Sequence, residues 1–277
     1  MTNSKKLFES FKNSKYRSLK HTNYFEIYDQ IFKNFINKKI VFVEVGVSNG
    51  GSLFMWRDYL GSEARIIGID FNPTARKWEK YGFDIFIGNQ SDPEFWKFFY
   101  EKVGSIDILV DDGGHTNEQQ IQTIDNSYKF INNGGVIVVE DVHASYLKEF
   151  GNPSSYSFIN FCFSIVNKIN NRSLGKKYIK NYQNRIHKID FYESLVTFYV
   201  DDKKCKKNQA IDNGGIVLNS EDFRLKDIKI FSIIDNYKVH LRSFISNKIY
   251  IFLKKKYVLL KFMILKLKKK KYKKYFY

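Results

Sequence analysis

The segment Ile106-Asp-Ile-Leu-Val-Asp-Asp-Gly-Gly-His115 decides the fold. Its first five residues are a short, nearly all-apolar run, which suits a strand buried on both faces of a parallel sheet. The run then breaks into two carboxylates, two glycines and a histidine. In open α/β sheets ligands bind at the carboxyl ends of the strands, so Asp111, Asp112 and His115 are expected together at one rim. A second burst follows about 30 residues on, where Val136-Ile-Val-Val139 runs into Glu140-Asp-Val-His143. Two neighbouring strands ending in clustered oxygen donors and a histidine suggest a metal-assisted site.

Upstream, Lys39–Val45 reads as the first strong strand. It passes into Glu44-Val-Gly-Val-Ser-Asn-Gly-Gly51 and then a helix through Leu53, Met55, Trp56 and Tyr59. Strand, glycine turn and helix form the first unit of a nucleotide-binding α/β fold. Gly46 permits a tight turn, while Gly50 and Gly51 would let a ligand approach the backbone. A dinucleotide fingerprint requires G-x-G-x-x-G, with a pyrophosphate on the helix N-terminus. Here Ser48 takes the middle glycine's place and the strand carries Glu44. An acid there repels phosphate but suits a cationic, amino-acid-like ligand. S-adenosylmethionine fits that description better than NAD.

Arg65–Asp70 is the second strand, and Asp70 is placed to accept hydrogen bonds from both ribose hydroxyls of an adenosine. Pro73 opens a short helix. Phe83–Ile87 is a third strand, followed by Gly88-Asn-Gln-Ser-Asp92. Asn89, Gln90 and Ser91 are candidates for the adenine edge; the competing reading has Asp92 simply capping a helix over 93–103. Residues 117–131 read as a helix closed by Asn132-Asn-Gly-Gly135 in a left-handed cap. A helical segment surrounds Phe158–Ile169, and Asp190–Val200 reads as a late antiparallel strand. Before all of these, residues 1–20 read as a loose arm or short helix. Tyr24, Ile27, Tyr28, Ile31, Phe32 and Phe35 then share one helical stripe, packed on the sheet edge or, with His21, capping a ligand.

Bulk properties are consistent with a folded α/β domain. The chain has 277 residues, 43% hydrophobic and 17% aromatic, enough for a sizeable core. Of the formal +17 charge, the segment from Lys238 onward contributes 14 lysines and arginines and no acid, so the rest is near +3. Cys162 and Cys205 lack metal or redox spacing, which suits a reducing cytosolic setting. No secretory signal or membrane-spanning run is expected. The division expected is an N-terminal arm and helix over 1–36, a catalytic domain over 37–203, and a C-terminal extension over 204–277.

Together the motifs resemble the class I S-adenosylmethionine-dependent methyltransferases. More narrowly they resemble the metal-dependent O-methyltransferases of macrolide sugars and their rhamnosyl O-methyltransferase and cephalosporin hydroxylase-like relatives. The resemblance spans roughly residues 20–200 and adds Glu140-Asp-Val-His-Ala-Ser-Tyr146 and Asp190-Phe-Tyr-Glu-Ser194 to the motifs above. Gly114 stands where relatives often have Ser, and Asn89 where Asp is common.

The resemblance implies a Rossmann-like, mostly parallel sheet with helices on both faces. It implies magnesium held by Asp112, Glu140 and Asp141, with His115 as base beside Asp112. Cofactor contacts are expected from Glu44, Gly46, Ser48, Gly50, Asp70, Asn89, Gln90 and Asp111, the last as a cofactor contact or turn cap rather than a metal ligand. The substrate expected is a sugar hydroxyl. An RNA or other small-molecule methyltransferase, an NAD-dependent sugar enzyme and a non-catalytic binding module are the rivals. The basic, apolar tail over 249–277 suits the surface of an anionic membrane, which would place a cytoplasmic protein at the membrane's inner face. Nucleic acid is the weaker choice, a solvated tail without partner the plain alternative, and a homo-oligomer is compatible.

Overall fold

The computed structural model describes residues 3–151, 154–174, 179–216, 218, 228–241, 244–268 and 275. The chain divides into two compact units, residues 1–210 and 211–277. In the first, seven strands form one sheet: β1 (Val41–Val45), β2 (Arg65–Asp70), β3 (Asp84–Ile87), β4 (Ile106–Asp111), β5 (Ile131–Val139), β6 (Ile186–Tyr192) and β7 (Leu195–Val200). Their order is β3-β2-β1-β4-β5-β7-β6. Strands β1 to β5 are mutually parallel, and β7 runs antiparallel to both β5 and β6.

Alternation along the strands feeds two cores, because successive side chains leave opposite faces. Phe42, Ile108, Val110, Val136 and Val138 face α1 (Asn3–Asn13), α2 (Tyr24–Phe32) and α3 (Gly51–Leu60). Val43, Val45, Ile67, Leu109, Ile137 and Val139 face α4 (Pro93–Val103), α5 (Asn117–Ser127) and α6 (Phe158–Asn170). Helices therefore cover both faces, and the architecture is that of a Rossmann-like methyltransferase fold. The expected stripe of α2 is buried from Tyr24 to Phe32. It packs over one face of the sheet through Trp56 and Phe42, not along an edge.

Three elements differ from the sequence expectation. Helix α5 ends at Ser127, and Asn132–Gly135 belong to the start of β5 instead of a helical cap. Gly134 is left-handed (φ 88°), but inside a strand whose pairing with β4 shifts register between Ile106 and Ile108. The late strand is a hairpin: β6 turns at Glu193-Ser194, with Ser194 at φ 64°, into β7. At the N-terminus, α1 and α2 pack within the first unit, which extends to Ala210.

The second unit contains α7 (Lys229–Leu241) and α8 (Asn247–Lys268), with Phe231 against Tyr257. Among the described residues, no helix is long and apolar enough to cross a membrane. Lys269–Lys271, Lys273 and Lys274, part of the basic tail, lie outside the described residues.

Candidate active site

A cavity of about 1030 Å³ opens at the carboxyl ends of β1, β2, β4 and β5. Gly46, Ser48, Asp70, Asn89 and Gln90 line it together with Asp112, His115, Glu140 and Asp141. Residues 17–21 and Tyr24, from the N-terminal segment, line it as well.

The left-handed turns place the metal-side residues. Strand β4 ends at Asp111, and the chain passes through Asp112-Gly-Gly to His115, which sits at φ 58°. Asp141 follows β5 at φ 54°. Non-glycine residues rarely adopt this region, and when held there they mark functional geometry. Asp112, His115 and Asp141 each offer one donor atom, all lying within 4.8 Å of one another. His115 Nε2 is 3.9 Å from Asp112 Oδ1 and 3.6 Å from Asp141 Oδ2. Gly46 brings the β1 turn against this loop: its φ is 89°, and a Cβ there would lie 1.9 Å from the Asp112 carbonyl oxygen.

Glu140 does not converge with the other two carboxylates on one donor cluster. It accepts from Lys20 Nζ at 2.7 Å and from the buried Tyr28 hydroxyl. Lys20 Nζ also donates to Asp112 Oδ2 at 2.6 Å and lies 3.7 Å from Glu44 Oε1. Burial opposes the Lys20 charge, but Asp112, Glu140 and Glu44 outweigh it and hold the ammonium well above the ordinary lysine range. Burial, and then the Asp112 charge, push the Glu140 carboxyl up against the pull of Lys20. Strand parity explains the gathering: Glu44, Asp112 and Glu140 all leave the α1–α3 face of the sheet. The sequence reading missed Lys20, one of 46 lysines and arginines; the only signal was three acids of matching parity needing a counter-charge.

Tyr24 and His21 surround Asp141. The Tyr24 hydroxyl donates to Asp141 Oδ1 at 2.7 Å, and His21 Nε2 lies 3.4 Å from the same oxygen. His143 binds Ser194 Oγ through Nδ1 and lies edge-on to His21, ring centroids 5.6 Å apart. His21, Asp141 and His143 thus form a second group of close donors.

The cofactor-side expectations divide. Asp70, Ser48, Asn89, Gln90 and Gly46 line the cavity. Glu44 and Asp111 do not, since both are fully buried. Glu44 accepts from Ser52 Oγ at 2.6 Å and Trp56 Nε1 at 3.1 Å in the core beneath α3. Asp111 points to the opposite face and accepts from Gln90 Nε2 at 3.0 Å. Gln90 Oε1 in turn accepts from the Gly114 amide at 3.0 Å, so this side chain braces the β4 loop. Gly50 and Gly51 clear space for protein rather than ligand. A Cβ on Gly50 would strike the Trp78 ring, and one on Gly51 the backbone of Tyr16 and Arg17. Asp92 does cap α4, accepting from Glu94 N.

Asp70 organises the turn after β1. Its Oδ2 accepts from the Val47 and Ser48 amides, both at 2.9 Å, and its Oδ1 from the Asn72 amide at 2.8 Å. Two amides of the turn that leads into α3 are thus committed to a carboxylate.

Comparison with known proteins agrees with this architecture. Residues 43–142 match a family model described as a methyltransferase domain. The 8-demethyl-8-alpha-L-rhamnosyl tetracenomycin-C 2'-O-methyltransferase of Streptomyces olivaceus is 32% identical over 47% of this chain and 35% of its own length. The mycinamicin VI 2''-O-methyltransferase of Micromonospora griseorubida is 28% identical over 45% of this chain and 32% of its own. The chain thus spans about a third of the length of the curated relatives it matches. Among solved structures, the MycE methyltransferase from the mycinamycin pathway, in complex with Mg and SAH, superposes with a TM-score of 0.62. It has 22% identity, over 78% of this chain and 57% of that one.

Proposed function

We propose that this protein transfers a methyl group from S-adenosylmethionine to a sugar hydroxyl, assisted by a divalent cation, magnesium in the first instance. The observation that carries the reading is the convergence of Asp112, His115 and Asp141 in the same cavity as Asp70 and Asn89. Two carboxylates from adjacent strand ends suit a hard divalent ion, and the imidazole beside them is placed as a base. The relatives named above are sugar O-methyltransferases, and the MycE crystals hold Mg and SAH, which favours the same pairing here.

The roles follow from the placement of side chains. Asp112 and Asp141 would hold the cation, with Glu140 beside them. When bound, that ion would supply the positive charge that lowers the proton affinity of an alcohol. His115 Nε2 takes the hydroxyl proton, and Asp112 and Asp141, at 3.9 and 3.6 Å, stabilise the resulting imidazolium. Ser48, Asp70 and Asn89 would hold the adenosyl end, and transfer would require the acceptor oxygen to come within roughly 3 Å of the methyl carbon. Glu44 and Asp111 shape the site from beneath without touching a ligand.

The test is methyl transfer from labelled S-adenosylmethionine to sugar nucleotides and glycosides, with and without excess chelator. Labelled product that disappears with chelator supports the reading; full transfer in chelator removes the metal. An NAD-dependent enzyme is disfavoured by the committed Val47 and Ser48 amides. Thermal stabilisation by NAD and not by S-adenosylhomocysteine would reverse that choice.

A second reading concerns α8. Phe252, Leu253, Val258, Leu259, Phe262 and Met263 are exposed beside Lys254, Lys255, Lys256 and Lys261. Apolar and basic side chains on one helix suit an anionic bilayer surface. Co-sedimentation with phosphatidylserine vesicles should fall in a Lys254→Glu, Lys255→Glu, Lys256→Glu variant, and unchanged binding removes the idea.

A further inference from the structure

Lys20 reaches the site from a stretch with no regular secondary structure, residues 14–20. Its side chain is only 1% exposed, and its Nζ sits between Asp112 Oδ2 and Glu140 Oε1 at 2.6 and 2.7 Å. A divalent ion shared by those two carboxylates would need the same space. Ammonium and dication are both hard positive charges seeking carboxylate oxygen, and they repel each other strongly at such separations. Two buried acids, Glu44 and Glu140, beside the partly exposed Asp112 would be costly with no cation among them.

We propose that Lys20 is a tethered counter-ion that competes with the divalent cation for Asp112 and Glu140. On this inference, which rests on the metal reading above, the segment 14–20 sets the cation affinity of the site. When the cation takes Asp112, Glu140 and Asp141 together, Lys20 withdraws and the segment leaves its seat. Lys20 is therefore a positioning residue: seated, it keeps Glu140 out of the donor cluster and the pocket electrically compensated.

The segment is seated chiefly through Tyr16, whose ring also packs against Phe54 and Tyr81 and whose hydroxyl pairs with that of Tyr81. Ser14 Oγ donates to the Gly51 carbonyl at 2.8 Å, and the Tyr16 ring packs edge-on to Trp78 with centroids 4.5 Å apart. Gly51 is the closest approach: a Cβ there would lie 2.3 Å from the Tyr16 carbonyl oxygen and 2.6 Å from the Arg17 carbonyl. Gly51→Ala should therefore unseat the segment, and Lys20 with it, without removing the ammonium or any carboxylate from the chain.

The experiment is calorimetric titration of Mg²⁺ into the full chain, its Lys20→Met and Gly51→Ala variants, and the double variant. If the seated segment accounts for about nine-tenths of the molecules, removing it tightens apparent Mg²⁺ binding about ten-fold. Both single variants should bind more tightly, and the double variant no more tightly than Lys20→Met, because the two changes remove one and the same competitor. Mg²⁺ should also speed tryptic cleavage of the wild-type chain after Arg17 and Lys20. Should Lys20→Met fail to fold, Gly51→Ala and the cleavage assay decide. Affinities equal to wild type, with cleavage indifferent to Mg²⁺, overturn the competition alone. Absence of Mg²⁺ binding in all four proteins overturns the metal reading and this inference with it.

Discussion

His115 and Asp141 meet at 3.6 Å, Nε2 to Oδ2, although each is held at a left-handed φ, 58° and 54°. Two strand ends spend conformational freedom to bring an imidazole to a carboxylate. His115 Nδ1 has no hydrogen-bond partner and is buried, so the nitrogen facing the acids is the ring's outlet. His115→Asn tolerates the left-handed backbone better than His115→Ala. In both, turnover should fall about 10²- to 10⁴-fold, while S-adenosylhomocysteine still binds by calorimetry. Unaltered turnover would clear His115 of proton transfer.

Asp141→Asn keeps a side chain that the Tyr24 hydroxyl can still address but removes the charge. Mg²⁺ affinity and methyl transfer should drop together, by more than about 100-fold, exceeding the usual effect of residues behind a metal ligand. The paired measurement is titration of the ion and single-turnover transfer. Loss of transfer with intact ion binding would place Asp141 elsewhere in the reaction.

Glu44 supplies a contrast within the same face. It lies under α3 with Ser52 and Trp56 donating to it. Glu44→Gln puts an amide hydrogen against one of those donors, so unfolding in urea should show a loss of about 1–3 kcal/mol. S-adenosylhomocysteine affinity should be unchanged. A selective loss of that affinity would return Glu44 to the cofactor.

Gly46→Ala tests the approach of the β1 and β4 loops. The added methyl would overlap the Asp112 carbonyl, at a φ of 89° that alanine resists. Destabilisation of about 1–3 kcal/mol from strain alone is expected, together with weaker Mg²⁺ binding, because Asp112 must move. Wild-type stability and ion affinity would mean that the loops do not rely on this contact.

Much of this was legible in the chain because periodicity and strand-end chemistry are local. The apolar runs ending at Asp111 and Val139 located Asp112, His115 and Asp141 at one rim. Asp70 was found by its distance from the glycine turn, though its oxygens hold backbone amides as well as facing the cavity. Glu44 was misjudged because the strand's alternation, which aims it beneath α3, was outweighed by its nearness to the turn. Asn132–Gly135 looked like a helix stop since glycine after asparagine serves both a cap and an irregular strand start. Lys20 was invisible: its partners lie 92 and 120 residues away, and only tertiary folding selects one lysine from many.

The reversed direction of β7 shapes the rim where β4 and β5 end. Because β6 and β7 fold back on each other, the Glu193-Ser194 tip returns to the same rim as the carboxylates. There Ser194 meets His143 and the Tyr24 hydroxyl, and the Glu193 carbonyl takes a hydrogen bond from Asn23. A hairpin can lengthen or shorten at its tip without disturbing the strands behind it. The surroundings of His143 and Tyr24 could thus change one turn residue at a time while the strands that carry Asp112 and Asp141 stay fixed.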